Sequence, residues 1–384
     1  MKYLKYLAIL LGVAITGSII YFLYINNFFM SNEIQIEEVA DGVYLEETFE
    51  STLAPEVIYA TENSYYLLTT DGISVKNIKS ELLWQNTFSL SEIYYAKSKN
   101  YIAVTEKNIN NSNIYVYNTD GPVYTIKSSG SPNAYITIND NGYLCTILNN
   151  SDSYTVNVYN NLGEIIFTYV FEDTTIIPIS TAIANNNKTL VINELDTSKI
   201  YPSPLFVYFD ITTPNNNSIY GIKTYNNEKE YFLMLEYLDD TTLCAISNKY
   251  IYFISTLNNS TEVTSSIELT NKIKYATKCG TNIVVVYDEP LSNLSTIAKN
   301  TVQIINTKGE QISIPQINNV TLLEEGSNGF MIGFDNTYEY YTLTGSKMWE
   351  HFSDFEVKSS VPLVQGKIAI FSGYGKITTG KFSN

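Results

Sequence analysis

A nine-residue pattern recurs along this chain at a spacing near forty residues, and it constrains the fold more than any other feature. ISVKNIKSE begins at Ile73, IYVYNTDGP at Ile114, VNVYNNLGE at Val156, VQIINTKGE at Val302 and YEYYTLTGS at Tyr338. The first and third residues are apolar and the fourth is of a strand-forming type. A polar, turn-prone step follows. The eighth residues are Ser80, Gly121, Gly163, Gly309 and Gly345. Glycine there supplies the positive φ of a tight turn between two strands. An apolar run resumes after each turn: LLW after Glu81, VYTI after Pro122, IIFTYVF after Glu164, ISI after Gln311, MW after Lys347.

The first two intervals are 41 and 42 residues and the last is 36. Between Gly163 and Gly309 the same strand rhythm continues in degenerate form, with an insertion near Tyr201-Pro202-Ser203-Pro204. A unit of about 40 residues with four strands predicts a β-propeller. The second unit divides into EIYYAKS, NYIAVTEK, NIYVYNTD and PVYTIK. Seven such units run from about residue 56 to 352, and an eighth (SVPLVQ, KIAIFSG, GKITTGKF) lacks its fourth strand. The segment Val43 to Phe49, VYLEETF, is positioned to supply it and latch the ring. The expected class is therefore all-β: a propeller of eight four-stranded blades, with seven as the alternative. The 33 Tyr and 17 Phe suit strands. A β-sandwich or two smaller β domains would not predict a unit recurring with glycine at one place.

Tyr6 to Ile25 reads YLAILLGVAITGSIIYFLYI without a charge. Twenty apolar residues at a helical rise of ~1.5 Å span the hydrocarbon core of about 30 Å. Lys2 and Lys5 precede the segment and no lysine follows until Lys76, so the positive-inside rule puts the N-terminus in the cytoplasm and the rest outside. The length, and the absence of a small-x-small site in YINNFFM, favour an uncleaved signal anchor over a signal peptide. The expected organisation is a cytoplasmic N-terminus (1–5), a transmembrane signal-anchor helix (6–25), a juxtamembrane tether (26–42) and an extracytoplasmic propeller (43–384) at the cell membrane.

The formal charge is -16, and beyond residue 30 the balance is 21 Lys against 39 acids. Such a polyanion is repelled by nucleic acid and by anionic lipid headgroups, so no nucleic-acid partner is expected. All 23 basic residues are lysine, and His351 is the single histidine. Bidentate arginine recognition is thereby excluded, and histidine relays and histidine metal sites are disfavoured. Cys145, Cys244 and Cys279 form no CxxC. They read as buried small hydrophobes rather than a disulfide framework or a metal site.

The units resemble WD40-like and quinoprotein-like (PQQ-type) propeller repeats, the latter through Leu83-Trp84 and Met348-Trp349 after the turn. The whole plan resembles uncharacterised membrane-anchored propellers of Firmicutes. The resemblance covers about residues 43–382 and implies fold, not activity. Quinoprotein dehydrogenases hold their cofactor with arginine, which this chain lacks, so no cofactor is expected.

Individual candidates for chemistry are sparse. His351, in MWEHFSDF just after an outer strand, reads as a surface or packing residue. The adjacent acid pairs Glu46-Glu47, Asp239-Asp240 and Glu324-Glu325 read as solvated turn or edge acids, because strand neighbours point to opposite faces. Asn139-Asp140-Asn141-Gly142 is the best short calcium-loop candidate, but it lacks the spaced ligands of an EF-hand and reads as a turn. No catalytic, cofactor-binding or metal residue is assigned. The sequence is read as a non-enzymatic protein-binding or scaffolding module with envelope or membrane proteins as partners. The alternatives are a receptor for an envelope glycan or small ligand and a carboxylate-based glycan hydrolase.

Overall fold

The polar half of the repeated pattern closes the turn that its apolar half leads into. In the computed structural model, which describes residues 42–48, 54–212, 219–224, 230–257, 261–289 and 299–382, the Asn77 side-chain oxygen accepts the backbone N–H groups of Lys79 and Glu81. Its amide donates to the Glu81 carboxylate. Asn160 makes the same three bonds with Leu162 and Glu164, and Asn306 with Lys308 and Glu310. The eighth residue of the pattern is left-handed throughout: φ is +60° at Ser80, +134° at Gly121, +78° at Gly163, +80° at Gly309 and +82° at Gly345. In the three asparagine units the pattern is therefore a strand, an asparagine-clasped turn and the next strand, and in the Tyr338 unit Thr342 Oγ1 accepts Ser346 N–H instead.

Among the described residues there are eight four-stranded sheets, seven of them made of four strands consecutive in sequence. Blade 1 is β2 (Glu56–Thr61), β3 (Ser64–Thr69), β4 (Gly72–Asn77) and β5 (Leu82–Thr87). Blade 2 is β6 (Tyr94–Lys97), β7 (Tyr101–Thr105), β8 (Ile114–Asn118) and β9 (Gly121–Ile126). Blade 3 is β10 (Asn133–Ile138), β11 (Leu144–Asn149), β12 (Tyr154–Tyr159) and β13 (Ile165–Phe171). Blade 4 is β14 (Ile176–Ile183), β15 (Thr189–Asp196), β16 (Ser203–Asp210) and β17 (Ile219–Thr224). Blade 5 is β18 (Phe232–Tyr237), β19 (Thr242–Ser247), β20 (Tyr250–Ser255) and β21 (Glu262–Glu268). Blade 6 is β22 (Ile273–Cys279), β23 (Asn282–Asp288), β24 (Lys299–Ile305) and β25 (Gln311–Asn318). Blade 7 is β26 (Leu322–Glu325), β27 (Gly329–Phe334), β28 (Thr337–Thr342) and β29 (Lys347–Phe352). Blade 8 is β30 (Val357–Leu363), β31 (Ile368–Gly373) and β32 (Lys376–Lys381), completed by β1 (Gly42–Thr48).

The architecture is an eight-bladed propeller, and the early segment does close it. β1 pairs antiparallel with β32, Gly42 opposite Lys381 and Thr48 opposite Lys376. The joint is fastened to blade 1 as well. Val57 N–H donates to Ser359 Oγ at 2.9 Å, Ser359 Oγ donates to Val57 O at 3.0 Å, and Lys76 meets Glu47 at 2.5 Å. The insertion near Tyr201 lengthens the connection between β15 and β16, while Ser203 and Pro204 themselves begin β16.

First strands of consecutive blades pack side by side around the ring, second strands are almost wholly buried, and fourth strands alternate exposed and half-buried residues. The core is thus a set of layers between blades. Ala182, Val191, Phe206 and Tyr208 of blade 4, for example, meet Phe232, Leu235, Leu243 and Ala245 of blade 5. A recurring contact sets this layering. Trp84 Nε1 donates to Thr119 O in the next blade's turn at 2.7 Å, and Trp349 Nε1 donates to Gly366 O in blade 8 at 2.5 Å. A Cβ on Gly163 would lie 3.0 Å from Tyr124 of blade 2, and one on Gly309 2.4 Å from Ser265 Oγ of blade 5. The recurring glycine therefore serves the turn and also the approach of the neighbouring blade.

Turns between first and second strands, and between third and fourth, lie at one end of the ring, here the turn face. Second-to-third turns and the connections between blades lie at the other, the loop face. All three cysteines are free and buried. The predicted transmembrane helix (6–25), and the tether up to residue 41, lie outside the described residues. Among the described residues no helix is long and apolar enough to cross a membrane.

Candidate functional site

The residues singled out from sequence fall mostly into structural roles. His351 lies within the outer strand β29 rather than after it, its ring 5.2 Å from those of Phe371 and Phe382 in blade 8. Burial pushes its pKa down, against the pull of Asp354. Asp239 accepts the backbone N–H groups of Thr241 and Thr242, as a turn acid does, and those hydrogen bonds outweigh burial and hold its pKa down. Glu46 pairs with Lys376 at 3.0 Å. The Asn139-Asp140-Asn141 turn is committed to its neighbours. Asp140 accepts Lys99 N–H in blade 2 and the Asn185 amide in blade 4, and Asn139 donates to Ala184 O and Asn187 Oδ1. Among the described residues, no group of three or more His, Cys, Asp or Glu is arranged to hold a metal.

The pair Glu324-Glu325 departs from expectation. Both residues lie on β26, the innermost strand of blade 7, not at a solvated turn or outer edge. Glu325 Oε1 accepts Lys97 Nζ at 2.5 Å, and Lys97 is the last residue of β6 in blade 2. Those blades are three positions apart around a ring of eight, so the ion pair reaches across the central channel. Glu236, the penultimate residue of β18, stands 3.8 Å from Lys278, the penultimate residue of β22. Lys278 Nζ also donates to Tyr237 O at 2.7 Å. All these charges sit at the same end of their innermost strands, near the turn face. They form one level of the channel.

Lys97 and Glu236 keep 29% and 41% of their side-chain surface accessible, as groups lining a channel do. Burial pushes the Glu324 carboxyl up to about 8, with Lys97 pulling it down and Glu325 and Glu56 pushing it further up. Burial pushes Glu236 up to about 7, against Lys278. Burial alone would lower Lys97, but Glu325 and Glu324 outweigh it and hold the ammonium above the ordinary lysine range. Tyr59 and Tyr95 share this field and are pushed up to about 12, chiefly by burial. Three carboxyls (Glu236, Glu324, Glu325) thus meet two ammonium groups at this level. Near neutral pH, Glu324 and Glu236 can donate as well as accept a hydrogen bond.

Sequence reasoning passed over this level because each charge looks unremarkable in its own strand. Aligning the units on their turns would have shown it. YYAK, FLMLEY, IKYATKC and LLEE are the first strands of their blades, and each carries a charge at or next to its end.

Over residues 38–378 the sequence matches the family described as "Family of unknown function (DUF5711)". No curated protein matches it. Among solved structures, tricorn protease is similar at 10% identity and a TM-score of 0.50, covering 80% of this chain, which spans 34% of that one. Hydrazine synthase of Kuenenia stuttgartiensis gives 12% identity and a TM-score of 0.47, covering 88% of this chain and 99% of that one. The Pan2 WD40 domain of Neurospora crassa gives 9% identity and 0.46, covering 77% and 89%. At such identities the likeness is one of fold alone.

Proposed function

The chain belongs to this family of unknown function, and we propose that it works as a membrane-anchored, extracytoplasmic propeller that binds a protein at the cell envelope without catalysing a reaction. One observation carries the reading. Among the described residues, the exposed large aromatics are Tyr201, Tyr231, Phe352 and Tyr374, between 52% and 68% accessible, and all four lie on the loop face. Aromatic side chains dominate the energetic centres of protein interfaces, and a rigid frame spares the ordering cost of presenting them. The ion pair across the channel near the turn face further supports a binding surface over a through-going funnel.

The test places photo-crosslinking side chains at Tyr374 and Phe352, and at Leu162 on the turn face, in the full-length chain in cells. The reading expects one discrete adduct from the loop-face positions, lost in Tyr201→Ala/Tyr231→Ala or Tyr374→Ala variants that still fold. Adducts no more frequent there than at Leu162 would refute it.

A second reading has its own observation. Glu236 and Glu324, able to donate as well as accept near neutral pH, stand beside Tyr135 and Tyr95, an environment suited to a small amine or polyhydroxylated ligand. Calorimetric titration with amino sugars and polyamines tests it. Heats unchanged by Glu324→Gln would remove it.

A further inference from the structure

Each blade ends on an outer strand with no further strand paired to it among the described residues. Such an edge offers free backbone N–H and C=O groups, and folded chains guard it with proline, charge or a covering neighbour. Seven of the eight outer strands carry a guard. β9 begins Gly121-Pro122, β25 contains Pro315, β17 contains Gly221 and Lys223, and β29 carries Lys347 and Glu350. β21 has a glutamate at each end, and β1 carries Glu46 and Glu47. β5 is uncharged, but its far half is Gln85-Asn86-Thr87, and Asn86 accepts the Tyr117 hydroxyl of blade 2.

The outer strand of blade 3 has none of these. β13, IIFTYVF, holds no charge, no proline and no glycine. The bulge at its start recurs in the outer strands of blades 1 to 7, and beyond it Phe167–Phe171 pairs with β12 in regular register. Phe167 and Tyr169 pack on Phe209 of blade 4, which fixes the strand. Ile165, Thr168 and Val170 stand on the opposite side, with Ile165 58% and Val170 49% accessible. Exposed acids bracket the strand: Glu164 before it, Glu172 and Asp173 after it. Among the described residues none of the three is paired with a lysine.

From this edge we infer that β13 is a strand-addition site, where an extended segment of a partner protein, apolar at alternate positions and flanked by lysines, pairs as a fifth strand of blade 3. In this mode the backbone supplies affinity and alternate side chains supply selectivity. The acids choose the occupant. A second copy laid antiparallel about Thr168 sets Glu164 opposite Glu172, and one laid parallel sets identical acids side by side. Like charges facing each other across strands destabilise the pair. A lysine-flanked strand meets opposite charge at both ends instead. The inference does not depend on the loop-face aromatics and adds a second surface, on the rim of the ring.

The test measures amide hydrogen exchange of the full-length chain in detergent, with a synthetic peptide of alternating valine and threonine that carries a lysine pair at each end. Strand addition expects exchange in Phe167–Phe171 to slow severalfold while Leu82–Thr87 and Glu262–Glu268 stay unchanged. The protection should vanish when the peptide is flanked by glutamates or interrupted by proline. It should vanish also in Val170→Lys, which guards the edge and repels the basic flank, with tryptophan fluorescence reporting the intact fold. It should persist in Tyr374→Ala, which separates this surface from the loop face. No slowing at β13, or equal slowing at β5 and β21, refutes the site. Protection of β13 that rises with protein concentration in the absence of peptide assigns the edge to a second copy and refutes the basic partner.

Discussion

Replacing Gly163 with alanine separates the cost of a backbone conformation from the cost of pushing two blades apart. At φ +78° an alanine pays for the left-handed region, about 1–2 kcal/mol. Its Cβ would also stand 3.0 Å from Tyr124 Cδ2, 3.2 Å from Cγ and 3.3 Å from Cβ. Because the contact is at the root of that side chain, turning the ring does not relieve it. The far end is fixed as well, since Tyr124 Oη donates to Gly142 O at 2.7 Å. Overpacking of this kind costs about 1–3 kcal/mol, which brings the total to roughly 2–5 kcal/mol. Gly280 is the control: φ is +61° and no atom lies within 4 Å of its hypothetical Cβ, so alanine there carries the conformational cost alone. Urea unfolding of the full-length chain in detergent, followed by fluorescence of Trp84 and Trp349, compares the midpoints at unchanged slope. Gly163→Ala should unfold at clearly lower urea than Gly280→Ala. Adding Tyr124→Ala should recover part of the loss, with a coupling of at least about 1 kcal/mol. Equal losses at the two glycines, or strict additivity with Tyr124→Ala, would refute the claim that the recurring glycine sets blade spacing.

Lys97→Met leaves Glu324 and Glu325 without their cation. It should destabilise the chain by on the order of 2 kcal/mol at pH 8 and progressively less as acid protonates the carboxyls; a loss that does not vary with pH would contradict the cross-channel pairing. Glu194, on β15, is 4% accessible, its Oε1 has no hydrogen-bond partner, and burial pushes its pKa from 4.5 to about 8. Between those two values only the folded form keeps the proton, so wild-type stability falls as pH rises through that window. Glu194→Gln should therefore overtake wild type by about 1–3 kcal/mol above pH 8, measured by urea midpoints across pH. Burial pushes the Cys145 and Cys279 thiols up to about 12. A thiol reagent at pH 7.5 should leave the native chain unmodified and label all three cysteines only at the urea concentration where the tryptophan signal changes; earlier labelling would reveal local opening.

What could be read from the chain was what is local. Strand and turn follow from short-range chemistry: the Asn77, Asn160 and Asn306 clasps and the glycines after them act within nine residues, so their repetition reveals the blades. Blade number was readable too, because VYLEETF was the one strand-like run left over and the eighth unit was one strand short. The channel was not readable. Lys97 and Glu325 lie 228 residues apart and meet only because the ring closes. LLEE differs from a solvated edge strand solely by its position in the blade. His351 was read as a surface or packing residue just after the outer strand, whereas that strand continues through EHF beyond the Trp349 that docks on blade 8.

The closing strand ties the fold to the order of synthesis. β1 is made 339 residues before the strand it pairs with is complete, Gly42 facing Lys381. At ribosomal rates of about 5–20 residues per second, roughly 20–70 s pass before the two can meet. Through that interval the nascent chain presents β1 unpaired and an open ring with bare flanks, the kind of edge on which strands from other chains add. Losing β32 alone leaves β1 without a partner and so undoes the first strand of the ring as well as the last. A chain stopped before Lys376 thus loses pairing at both ends of the propeller, and a helper that shields strand edges has its client defined by this one joint.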